Sequence, residues 1–141
     1  MNFLRVSTRL FCDVYEAFRG LTKDSRMTAW AGKTGQTVRI GENEFEMTIV
    51  SEVPYERVEW VLPNEALRLT FNMMKCTSKT EYCTEVHLIV APLDGEVLSD
   101  AVEKDWKTSA PQLLEQLRAH YNKDWVILDS DLSLSQLRGS L

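Results

Sequence analysis

Glu42, Glu44 and Glu46 alternate along a short stretch, as a row of carboxylates on one strand face would, and neighbouring carboxylates are a raw material of general acid–base chemistry. Solvation of that face, with Arg39 or Arg57 paired across strands, explains the same row without chemistry. His87 sits between Val86 and Leu88; if those two point inward, it points out as a surface residue. His120 stands near the expected end of a helix, where an imidazolium suits the dipole. Neither histidine has cysteines or carboxylates at metal spacing, and zinc needs three or four ligands, so no metal is expected. Cys76 and Cys83 fall on the outer face of a hairpin; reduced thiols are the expectation and a cross-strand disulfide the alternative. Thr8, Ser51, Thr84 and Ser109 are hydroxyls that orient a ligand but give no acid or base at neutral pH. No glycine-rich phosphate loop, nucleophile elbow or metal-binding helix motif occurs, and no cofactor is expected.

Those residues need a scaffold. The 141 residues suit one domain, and 44% hydrophobic with 26% charged residues is too apolar for disorder. A net charge of −5, with basic residues spread rather than clustered, disfavours nucleic acid. No uninterrupted apolar stretch forms a secretory leader or a membrane span, and three cysteines make no secreted disulfide framework. The expected location is cytoplasmic.

The longest periodic stretch runs from Leu98 to Tyr121, where Leu98, Val102, Trp106, Leu113, Leu117 and Tyr121 recur at helical spacing opposite a charged face. Pro111 predicts a bend near Lys107 to Pro111. Ahead of this helix, Leu4 to Leu10 alternate as a first strand. Asp13 and Glu16 have capping-box spacing for a short helix over Val14 to Arg19, ended by Gly20. A second helix from about Lys23 to Trp30, ended by Gly32, folds Met27 and Trp30 onto the sheet. Strands then follow at Gln36 to Ile40 and Phe45 to Val53, with Phe45, Met47, Ile49 and Val53 on one face. Further inward sets are Val58, Trp60 and Leu62; Leu67, Leu69, Phe71 and Met73; and Thr84, Val86, Leu88 and Val90. A two-residue turn at Lys79 and Thr80 places Met73 opposite Val86, Phe71 opposite Leu88 and Leu69 opposite Val90, and a turn longer or shorter by two keeps the same faces with another pairing. Residues 1–122 form the domain. Residues 123–141 form an apolar tail, with Trp125, Ile127, Leu134, Leu137 and Leu141, that packs on the domain or on a second copy as a homodimer.

The order of one strand, two short helices, a run of antiparallel strands and a long last helix resembles the START-like (SRPBCC) helix-grip superfamily. Val14 to Thr22 (VYEAFRGLT), Trp30, Thr84 to Val90, and Trp106 with Leu113 and Leu117 are similar to the chaperone-ATPase-activator homologues within it. The resemblance implies an α+β fold in which a curved antiparallel sheet of six or seven strands wraps on the C-terminal helix. It also implies an apolar ligand, a hydrophobic small molecule or lipid, held between sheet and helix. Trp30, Phe45, Met47, Trp60, Phe71, Met73, Thr84, Trp106 and Leu113 would line that site. The same residues also suit a filled core. Two other readings stand beside ligand binding: a noncatalytic interaction module acting through its surface, and a cyclase-type enzyme, for which no inward acid and base pair is evident.

Overall fold

A computed structural model describes residues 2–76, 83–95 and 97–135, with side chains as far as Asn122. Strand β1 (Leu4–Leu10) leads into helices α1 (Val14–Thr22) and α2 (Asp24–Ala31). Strands β2 (Thr37–Ile40), β3 (Asn43–Glu46), β4 (Thr48–Val53), β5 (Arg57–Leu62), β6 (Leu67–Lys75) and β7 (Thr84–Pro92) follow, and helix α3 (Asp100–Ser135) closes the fold. Five strands form one antiparallel sheet in the order β1-β7-β6-β5-β4, while β2 and β3 pair separately. This is the helix-grip arrangement. The expected faces and pairing both hold: Met73 faces Val86, Phe71 faces Leu88 and Leu69 faces Val90. The turn expected at Lys79 and Thr80 lies outside the described residues.

Local chemistry explains most boundaries. Asp13 Oδ1 accepts the Glu16 N–H at 2.9 Å, capping α1, whereas the Glu16 carboxylate is engaged by Arg26 and Tyr121 and makes no return arm of the box. Gly32 leaves α2 in the left-handed region at φ 56°. Gly20, expected to end α1, lies inside it. Its missing Cβ serves close packing: a methyl there would meet Tyr121 Cε2 and Cζ at 3.0 Å and overlap the hydroxyl.

Three further expectations are corrected. The stretch Phe45 to Val53 is two strands, because the chain turns at buried Met47, whose N–H bonds Gln36 O at 2.7 Å. Helix α3 does not stop at Tyr121 but continues to Ser135, and no glycine or proline interrupts the sequence after Pro111 until Gly139. His120 is therefore not at a helix end; its ring packs edge-on against Tyr121 at 4.8 Å. The tail's side chains lie outside the description. Finally, Cys76 and Cys83 form a disulfide, with Cα atoms 5.2 Å apart. They sit just past the Lys75–Thr84 pair, and Cys76 N–H bonds Cys83 O at 3.0 Å. Alternation fails beyond the strand ends, so both are buried instead of lying on the outer face.

Candidate ligand cleft beside Trp106

The inner face of α3 lies on the sheet through Trp106, Ala110, Leu113, Leu114 and Leu117, all buried. Beneath its middle the expected ligand-lining residues are in contact with one another. Trp30 and Trp60 stack at 6.1 Å between ring centroids, and Trp60 meets Phe71 at 4.7 Å. Each of these indoles is fixed by a hydrogen bond: Trp30 Nε1 donates to Gly20 O at 2.6 Å and Trp60 Nε1 to Leu21 O at 3.0 Å. Met47, Met73 and Leu113 are buried in the same cluster. The Thr84 hydroxyl, also buried, donates to Cys12 O at 2.8 Å and so ties β7 to the end of β1.

The open space lies toward the N-terminal half of α3. Phe45, half-buried on β3, meets Trp106 at 5.4 Å with the rings tilted 48°. These two residues form the apolar wall of a cleft of about 680 Å³ that is otherwise lined by Asn43, Glu44, Glu65, Lys104, Asp105, Thr108 and Ser109. Of the four hydroxyl residues singled out in the sequence, only Ser109 lines it. Glu44 is paired with Arg39 across β2 and β3 at 3.0 Å, one of the two partners anticipated for the glutamate row. A second hollow of about 550 Å³ lies on the other side of α3, lined by residues 2–6, which lead into and begin β1, with Trp106 and Lys107.

Sequence reasoning missed the flanks of the helix. Asp105 and Thr108 look like solvent positions, and only the placement of the β2–β3 hairpin makes them a cleft wall beside Ser109. That hairpin is hung from α3 by Gln116, whose Nε2 donates to Arg39 O at 3.0 Å and Trp30 O at 3.3 Å while its Oε1 accepts the Gly41 N–H at 2.7 Å. Asn122 plays a similar part for β1, accepting from Phe11 N at 2.8 Å and donating to Arg9 O at 3.1 Å.

Half-buried groups with altered acidity sit elsewhere, where the start of α1 meets α3. Burial pushes the Cys12 thiol up to about 12, helped by the charges of Glu16 and Asp13. Burial also raises the Tyr121 phenol, as does its hydrogen bond to Glu16 at 2.8 Å. For Glu16 burial acts upward, but hydrogen bonds from Arg26 and Tyr121 and the charges of Arg26 and Arg19 outweigh it and hold the carboxyl below its ordinary value. These groups bind the helices together and do not face the cleft. His87 lies on the outer sheet face as expected, with Nε2 at 2.9 Å from Glu85 Oε1, although its side chain is only 20% exposed. No group of three or more metal-binding side chains occurs among the described residues, nor any helix long and apolar enough to cross a membrane.

Solved structures share this architecture. The Aha1 dimer from Colwellia psychrerythraea is 17% identical, with 86% of this chain and 96% of that chain covered at a TM-score of 0.60. The AHSA1 protein from Silicibacter pomeroyi is 13% identical, with 86% and 99% covered at 0.60. The fold is that of the AHSA1-type proteins. A protein of the dynemicin biosynthetic locus, 15% identical, matches at 0.56 over 86% of this chain and 49% of its own. No family model matches the sequence, and no curated relative does.

Proposed function

We propose that the protein is a noncatalytic binding domain that takes a small hydrophobic or amphipathic molecule in the cleft between the β2–β3 hairpin and α3. The observation that carries this reading is the Phe45–Trp106 pair walling a cleft of about 680 Å³, within the size range of small-molecule sites, in which one aromatic wall faces a mainly polar lining. Trp30, Met47, Trp60, Phe71, Met73, Thr84 and Leu113 then act behind the site, as the packed layer that keeps its wall in place. A ligand seated deeper would have to part the Trp30–Trp60 and Trp60–Phe71 contacts.

Native mass spectrometry of gently purified protein tests the reading, followed by titration with fatty and aromatic probes while the amide signals of Phe45 and Ser109 are monitored. A retained apolar adduct, or saturable shifts at those residues, supports it; a clean apo mass with no probe uptake overturns it. The second reading, an interaction module working through its surface, is favoured by the same ring-on-ring packing under the middle of α3. Pairing of two copies through residues 123–141 belongs with that reading. The Colwellia protein of this fold is described as a dimer.

A further inference from the structure

On a helix each residue turns about 100° from the last, so Asp105 and Lys107 leave the backbone on opposite sides of Trp106. Asp105, with Thr108 and Ser109, faces the polar cleft under the β2–β3 hairpin. Lys107 faces the hollow against β1, where Phe3, Leu4 and Val6 supply the surface. Trp106 is the residue common to both. We infer that the two hollows are one site divided by the Trp106 indole, and that its ligand is a single-chain amphiphile. Its tail runs along Phe3, Leu4 and Val6, and its polar head lies between Asn43, Asp105 and Ser109. This deepens the cleft reading given above and rests on it.

Three observations carry the inference. The compartments differ in chemistry: charged and hydroxyl side chains surround the first, whereas aliphatic and aromatic ones dominate the second. In the second, Phe3 is left 49% exposed, an apolar surface that a chain would cover. The partition is also the least fastened of the interior tryptophans. Trp30 and Trp60 are each held by an indole N–H bond, whereas Trp106, only 2% exposed, is held among the described residues by packing alone, so displacing its ring breaks contacts such as that with Phe45 but no hydrogen bond.

Charge selects the head. Arg39 neutralises Glu44 and Glu103 engages Lys107 at 3.2 Å, which leaves Glu65 and Asp105 against Lys104 around the cleft. An ammonium head is favoured over a carboxylate, and the net charge of −5 acts in the same direction.

The test uses the full ¹⁵N-labelled chain with butylamine, dodecylamine and dodecanoate, each kept below its micelle concentration. Dodecylamine is expected to shift the amides of Asn43, Phe45 and Ser109 together with those of Phe3 to Val6 and the Trp106 indole, and butylamine only the first set. Dodecanoate is expected to bind several-fold more weakly. Val6→Trp, which fills the β1 hollow, is expected to lower dodecylamine affinity at least tenfold; if that variant fails to fold, the chain-length comparison on the wild type decides alone. Dodecylamine shifts confined to the cleft would overturn the joined site and leave the cleft reading standing. Equal binding of dodecanoate would overturn the head assignment. Binding by none of the three probes would overturn both the joined site and the cleft.

Discussion

Replacing Gly20 by alanine sets two opposing effects against each other. Inside α1, glycine costs about 1 kcal/mol relative to alanine in helix propensity, so on local grounds Gly20→Ala stabilises. Across the interface, the added methyl would overlap the Tyr121 hydroxyl and press on Cε2 and Cζ at 3.0 Å. The ring cannot move aside freely, because its hydroxyl donates to Glu16 Oε2 at 2.8 Å. Hydrogen bonds to charged groups are worth roughly 1.5–3 kcal/mol, so losing this one outweighs the propensity gain. The expected outcome is a net loss of about 1–2 kcal/mol, a fall in melting temperature of roughly 3–6 °C for a domain of this size. The decisive comparison repeats Gly20→Ala in a Tyr121→Phe background, where no hydroxyl anchors the ring. There the substitution is expected to be neutral or stabilising, giving a coupling of at least about 1 kcal/mol in a double-mutant cycle followed by chemical denaturation. If Gly20→Ala stabilises the wild type as much as the phenylalanine variant, the contact does not constrain the helices and the argument fails.

The remaining predictions concern charge, sulfur and the end of the chain. Because Glu16 has a folded-state pKa below its ordinary value, it stabilises the fold above its unfolded pKa, and that contribution disappears as pH falls through the lower folded value; thermal denaturation between pH 3 and 6 should show a smaller loss in Glu16→Gln than in wild type. Cys12, with its thiol pushed up to about 12, should carry on the order of a thousandfold less thiolate at pH 8 than an unperturbed cysteine, so native alkylation by iodoacetamide should be slow and unfolding should restore the ordinary rate. Alkylation in denaturant, read by mass, should label one cysteine without reductant and three with it; three in both cases would refute the Cys76–Cys83 bond. Deleting residues 123–141 should convert a dimer to a monomer by light scattering, and full-length protein that is monomeric at every concentration would rule out the pairing.

How much was legible in the sequence follows from the range of the forces involved. Period-two alternation set which faces of β6 and β7 meet, because slipping by one would expose Leu69, Phe71, Leu88 and Val90 together, whereas the residue-by-residue pairing also needed the two-residue turn, since a slip of two keeps the same faces. The stripe of α3 was legible for the same reason. What could not be read was anything decided by two distant segments meeting. Gly20 looks like a stop signal until Tyr121 is placed against it. Phe45 and Met47 look like one strand until Gln36 takes the Met47 N–H. Asp105 and Thr108 carry no mark of a cleft wall, since the wall exists only through the hairpin across from them. The row of glutamates was read as a solvated face, and the Arg39–Glu44 pair agrees with that for its middle member.

The separation of β2 and β3 from the main sheet makes the protein modular. Hydrogen-bonded to α3 through the Gln116 side chain and seated on the core by Val38, Ile40 and Phe45, the hairpin can lengthen or shorten at its tip, near Glu42, without shifting the β4–β5 register. Cleft volume and sheet geometry can therefore vary independently. A chain of this fold can change the size of what it holds by editing a few residues of one hairpin while leaving its folding core untouched.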